Sequence, residues 1–179
     1  MSDKIKVSVF LGISLDGYIA GPDNDLSWLS VVETDPPEDT GYNALMADID
    51  VLVMGRNTYD TVLTFGFWPY EGKQVVVLTS RPLTPLYGET SFNGTLSDLL
   101  PELFARGLQH IYLDGGNVVR QGLQQQLVDE LTLSWVPATI GKGVRLFEGD
   151  MSMNQWKLTS HQAFPSGLLQ GRYTFNKTM

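Results

Sequence analysis

Cysteine is absent from the 179-residue chain, which excludes a disulfide framework and thiolate metal sites. The two histidines, His110 and His161, lie too far apart to suggest a metal site. No run approaches the roughly 20 apolar residues of a membrane span. The N-terminus lacks the basic stretch and apolar core of a secretory signal. A cytoplasmic protein without membrane contact is the expectation. Positive charge is scarce as well: 12 Lys and Arg against 20 Asp and Glu leave a net charge of −8. That balance argues against nucleic acid, whose binding is driven by phosphate neutralisation.

The scarcity has a location. No Lys or Arg falls between Lys6 and Arg56, whereas nine of the twenty acids do. Two readings stand for this quarter. It is a solvated acidic face, or it lines a pocket for a ligand rich in N–H donors or carrying positive charge.

What is present is ordinary for a folded domain: 42% apolar and 18% charged residues, in a length that predicts one domain over 1–179. Periodicity predicts strands at "KIKVSVFLGIS", "DVLVMG", "QVVVLTS", "HIYLD" and "ELTLSWVPATI". Helices are predicted at "YNALMADI", "RNTYDTVL", "LSDLLPELFARG" and "NVVRQGLQQQLV", with Pro101 tolerable near a first turn. "LDGYIAGPDND" reads as a loop, and residues 144–179 as short strands closing in a hairpin. Strands alternating with helices imply right-handed βαβ units. The predicted class is therefore α/β: three layers, a mixed and mostly parallel sheet with helices on both faces, and an antiparallel C-terminal edge.

Ligands of such sheets bind at the carboxyl ends of parallel strands. Three of those ends carry similar equipment. One strand leaves through Gly55 and Arg56, with Thr58 opening the next helix. Another leaves through Thr79, Ser80 and Arg81. A third leaves through Gly115 and Gly116 into a helix. A helix start offers unpaired N–H groups and about half a positive charge to an anion, and glycine lets the anion approach. Gly-Gly is also a common turn, and the G-x-G-x-x-G spacing is missing. Arginine forks flanked by hydroxyls suit a phosphomonoester. A monoester at one place and a pyrophosphate at another is the charge pattern of NADPH.

The segments "SLDGYIAGP", "MGRNTYD", "WPYEGKQVVVLTSR", "LDGGNVVRQGL" and "DELTLSWVPATIGKGVRLF" together resemble the dihydrofolate-reductase-like superfamily. The branch they are most similar to is the reductase domain of riboflavin biosynthesis. The resemblance implies an eight-stranded mixed sheet, NADPH as cofactor and a homodimer. It implies phosphate contacts from Gly55, Arg56 and Thr58, and a 2′-phosphate site at Thr79, Ser80 and Arg81. A pyrophosphate site is implied at Gly115, Gly116, Asn117 and Val118, with Ile19, Ala20, Leu78 and Asp114 completing the cofactor set. It also makes the Gly115–Gly116 bond a candidate for the cis form, which costs about 2.5–4 kcal/mol outside proline.

The cofactor carries hydride chemistry, while the protein supplies position and protons. Asp16 of "SLDGY" and Asp25 of "DNDLSWL" are the candidate catalytic carboxylates. Each has a plainer reading: Asp16 as turn former before Gly17, Asp25 as helix cap. Two departures from the resembled proteins matter. Lys73 stands where dihydrofolate reductases pair an arginine with folate, and Tyr18 stands where the riboflavin branch carries lysine. Phe65, Phe67, Trp68 and Tyr70 form core, a dimer contact or the wall for a flat heteroaromatic substrate. Thr139, Gly141, Lys142 and Gly143 border the site or simply turn the chain. The leading expectation is an NADPH-dependent reductase of a small pterin- or pyrimidine-like heterocycle. A non-catalytic nucleotide-binding or regulatory module, and a sugar-phosphate binder, are the alternatives.

Overall fold

Residues 4–176 are described by the computed structural model. The run of Val, Leu and Phe at Lys6–Ser14 forms strand β1, and the short Tyr18–Ala20 forms β2. Two 3₁₀ turns, Pro22–Asn24 and Ser27–Val32, carry the chain to helix α1, Tyr42–Asp48. Then follow β3 (Val51–Gly55), α2 (Arg56–Val62), β4 (Gln74–Leu78), β5 (Thr90–Phe92) and α3 (Leu96–Ala105). After them come β6 (His110–Asp114), α4 (Gly116–Gln124), β7 (Glu130–Val136) and β8 (Val144–Arg145). The chain closes with β9 (Trp156–Ala163) and β10 (Leu169–Phe175).

Eight strands make one sheet in the order β5-β4-β3-β6-β1-β7-β10-β9, and β2 pairs with β8 in a separate ribbon. Pairing is parallel from β5 through β7 and antiparallel at β7–β10 and β10–β9. The sheet is therefore mixed and mostly parallel, with the antiparallel edge at its C-terminal side. Side chains alternate across it. Val51, Val53, Val76, Ile111 and Leu113 pack with Leu96, Leu99 and Leu103 of α3 and Val119 and Leu123 of α4. Leu52, Met54, Val75, Val77 and Tyr112 pack on the other face with Tyr59 and Val62 of α2 and Leu45 and Met46 of α1. Each such side chain contributes about 1.5–3 kcal/mol when fully buried, and together they set the three layers.

Three short elements depart from the sequence-based expectation. β2 forms within a segment that reads as a loop, β5 has three residues, too few to show a period of two, and β8, at the start of the strand-rich tail, pairs with β2 and not within the C-terminal hairpin. Helix α4 ends at Gln124, not Val128, because Gln126 adopts φ 56° and breaks the turn. Pro101 stands in the second turn of α3 and not the first; the Thr95–Asp98 capping box anchors that helix start. The Gly115–Gly116 bond is trans, and among the described residues the cis bond is Asp35–Pro36.

The register aligns the strand ends that matter. Gly55 pairs with Leu78, and Met54 with Asp114, so β3, β4 and β6 release the chain along one edge. At the opposite end Ser8 Oγ lies 2.7 Å from His110 Nε2, whose Nδ1 lies 2.7 Å from Asp48. This triad-like chain is structural: Ser8 is 1% exposed, and a nucleophile needs access.

Candidate functional site

Two cavities open along the edge where β3, β4 and β6 end. The first, about 500 Å³, is lined by Gly55, Arg56, Asn57, Leu78, Thr79, Ser80, Arg81, Asn93, Gly94, Asn117, Val118 and Gln121. Two of these residues are cationic and none is acidic, in a protein of net charge −8. Asp60 organises both guanidinium groups. Arg56 Nε donates to Asp60 Oδ1 at 2.8 Å, and Arg81 Nη2 lies 3.4 Å from Oδ2. A further nitrogen of Arg56 donates to the Pro82 carbonyl at 3.0 Å. The Arg81 N–H donates to Thr79 Oγ1 at 3.1 Å, fixing the turn after β4.

The second cavity, about 270 Å³, lies across the start of α4 and is more apolar. Ile19, Ala20, Thr58, Asp114, Gly115 and Gly116 line it together with Phe10, Leu26, Leu29, Phe65, Tyr70 and Tyr112, among others. The first turn of α4 divides the two spaces: Gly115 and Gly116 face one, Asn117 and Val118 the other. No acid stands in that first turn, and the Asp114 carboxyl just before it takes the Gly115 N–H, which leaves the N–H groups of Asn117 and Val118 for an anion.

The glycine pair has a packing reason besides any ligand. Gly115 adopts φ 95°, ψ 146°, a conformation essentially confined to glycine. A Cβ there would fall on the Thr58 hydroxyl, and a Cβ at Gly116 would sit 3.1 Å from Ile19 and Val144. Helix α2 and the β2–β8 ribbon thus close directly on the backbone.

Every residue assigned to the cofactor by resemblance lines one of the two cavities, and Asp16 and Asp25 line neither. Asp16 is a latch. Its carboxylate accepts from Ser14 Oγ at 2.6 Å, Gly141 N at 2.7 Å and Ile140 N at 3.1 Å. The Ser14 hydroxyl foremost, with those two N–H groups, lowers its pKa from 3.8 to about 2. Asp25 is exposed and accepts from Ser27 N at 3.1 Å and Ser27 Oγ at 2.8 Å, the pattern of a turn cap.

The Asp16 latch has a pH consequence. A carboxyl whose folded pKa lies below its unfolded value adds stability that is complete above that value, here 3.8, and is lost as pH falls through about 2. Asp16→Asn is expected to lower the urea midpoint at pH 7. The gap from the parent should close between pH 3.8 and 2. A fall in kcat at neutral pH with an unchanged midpoint would instead return Asp16 to a catalytic role.

The carboxyl that the apolar cavity does hold is Asp114. Tyr70 Oη donates to its Oδ2 at 2.6 Å. Burial raises its pKa, opposed by the Tyr70 hydroxyl and the Gly115 N–H. Burial and then the nearby Asp114 charge push Tyr42 upward as well. Of the aromatic loop, Phe65 and Tyr70 line this cavity. Trp68 stacks on Tyr87 with centroids 4.6 Å apart, and Phe67 is 64% exposed. Asn93 and Gly94, which follow the three-residue β5, and Asn24, Leu26 and Leu29, in and between the 3₁₀ turns, also line the cavities, although nothing in the sequence singles them out. Among the described residues no group of three or more His, Asp or Glu side chains is arranged to hold a metal ion.

Comparison with known proteins agrees with this architecture. The RibD C-terminal domain family matches residues 5–170. Uncharacterized protein YwjB of Bacillus subtilis (strain 168) is 30% identical over 146 residues, 79% of this chain and 82% of its own. A Shewanella sp. PV-4 protein, described provisionally as belonging to riboflavin biosynthesis, superposes with a TM-score of 0.90 at 35% identity. The match covers 97% of this chain and all of that one. The Thermotoga maritima diaminohydroxyphosphoribosylaminopyrimidine deaminase/5-amino-6-(5-phosphoribosylamino)uracil reductase shares the fold, with a TM-score of 0.69 at 15% identity. That match covers 97% of this chain but 57% of the Thermotoga protein. With an eight-stranded sheet in this order and a match across most of its length, the chain belongs to the RibD C-terminal domain family.

Proposed function

We propose that the chain is an NADPH-dependent reductase of a small pterin- or pyrimidine-like heterocycle. The observation that carries this reading is the pairing of two cavities across the start of α4. One is cationic and free of acids; the other is apolar with a single carboxyl.

The residues present fit the cofactor. Arg81, beside Thr79 and Ser80, offers a charged fork and hydroxyls to the 2′-phosphate, and Arg56 adds charge where α2 begins. Asn117 and Val118, in the first turn of α4, offer N–H groups to the pyrophosphate, and the bare backbone of Gly115 and Gly116 lets it approach. Bound there, NADPH would supply a hydride. Asp60 holds both arginines in place before any ligand arrives, which lowers the ordering cost of binding. Asp114 faces the acceptor's space with a pKa raised by burial. It can accept an N–H from a heterocycle or hold a proton beside it. Phe10, Phe65 and Tyr112 give flat walls to an aromatic ring and exclude water from it.

A binding module without turnover is the second reading, favoured by the placement of Asp16 and Asp25 outside both cavities. One experiment separates the two. NADPH titration is expected to quench tryptophan emission with a dissociation constant on the order of micromolar, with 2′,5′-ADP competing. Oxidation at 340 nm against a panel of pterins, pyrimidines and quinones should then find an acceptor. Quenching with no oxidation across the panel favours the module; no quenching removes both readings.

A further inference from the structure

We infer that the acceptor is an N–H-rich flat heterocycle, neutral or cationic, that carries no phosphate group. This inference rests on the reductase reading and narrows its substrate. Eighteen residues line the apolar cavity; none is Lys, Arg or His, and the one charged group is Asp114. A phosphate there would be desolvated beside a carboxyl with no cationic side chain in the lining to pair it.

Charge on the 3₁₀-turn side of the mouth has the same sign as Asp114. Asn24, Leu26 and Leu29 form one wall, and they belong to the stretch between Lys6 and Arg56 that holds nine acids and no cation. Asp23 and Asp25, both exposed, flank Asn24 in the chain. Such a mouth repels an incoming dianion and draws in N–H donors.

The nearby guanidinium groups are committed elsewhere. Arg145 follows the cavity-lining Val144 but stacks over the Tyr18 ring, 4.5 Å from its centroid, and donates to the Tyr18 hydroxyl at 2.9 Å. Tyr18 and Ala20 are buried while Ile19, between them, lines the cavity. Arg120 donates to the Arg145 carbonyl and to Asn117 Oδ1, each at 2.6 Å. Size agrees with charge. At about 270 Å³ the space lies just under the roughly 300–1,000 Å³ of drug-sized sites. It suits a single ring system.

A matched pair of probes tests this: 6-hydroxymethylpterin and its phosphate monoester. Calorimetry is run on full-length protein saturated with NADPH, saturation being read independently from tryptophan quenching. The free alcohol is expected to bind about tenfold tighter than the ester or better. Asp114→Asn should shrink that preference. Thr61→Lys, which adds a cation to the wall on a helix that tolerates lysine, should reverse it. Equal or tighter binding of the ester to the unaltered protein, or binding of neither probe, overturns the inference. Failure to quench with NADPH strikes the underlying reductase reading instead, so the two failures are told apart.

Discussion

Arg81→Ala is expected to weaken NADPH binding about 10-fold to 100-fold while leaving NADH within about twofold. A charge-assisted hydrogen bond contributes about 1.5–3 kcal/mol, which converts to that range. The Arg81 side chain is 58% exposed, so solvent and salt screen its charge. At physiological ionic strength the loss should therefore fall near the lower bound and grow as salt is removed. Arg81→Lys keeps the charge but not the fork, and should recover part of the affinity. Because Asp60 also contacts Arg56, the comparison needs a second measurement: thermal stability must stay close to the parent, so that lost binding is not lost folding. Tryptophan quenching by the two cofactors reads the result. Equal losses for NADPH and NADH would remove Arg81 from the 2′-phosphate.

Much of this site was legible because its parts are local. A strand followed by glycine and arginine, or by threonine, serine and arginine, reads in one pass along the chain. The sheet edge then brings Gly55 level with Leu78 and Met54 level with Asp114. Less legible were properties made by distant partners. Asp114 gains its raised pKa from burial and its hydroxyl contact from Tyr70, 44 residues earlier. Asp16 looks like a turn former beside Gly17, yet besides Ser14 its carboxylate holds a loop more than 120 residues on. Strand β5, "TSF", has neither length nor apolar pattern and exists because β4 offers it a parallel edge. The aromatic loop divided: Tyr70 and Phe65 went to the cavity and Trp68 to a stack with Tyr87. Composition could not have chosen between those destinations.

Gly115→Ala is expected to destabilise the fold by about 2–6 kcal/mol, from two separable sources. Holding alanine at φ 95°, ψ 146° costs about 1–3 kcal/mol of backbone strain. The new methyl would also press on the Thr58 hydroxyl and lie 2.9 Å from the Thr58 Cβ, an overpacking worth about 1–3 kcal/mol. Against a typical total of about 5–15 kcal/mol that is a large share, and Tm should drop by about 10 °C for a chain of this size. Thr58→Gly in the same protein removes the collision but not the strain, so a double-mutant cycle on unfolding free energies should show a favourable coupling of about 1–3 kcal/mol. In the double variant α2 can return to its place, yet alanine at 115 still resists the backbone conformation that opens α4 toward a bound phosphate. Stability should therefore be partly rescued while NADPH affinity stays below that of the Thr58→Gly single variant, which measures the loss of Thr58 alone. Recovery of both together would mean that the glycine serves packing alone, and the pyrophosphate would have to be held elsewhere.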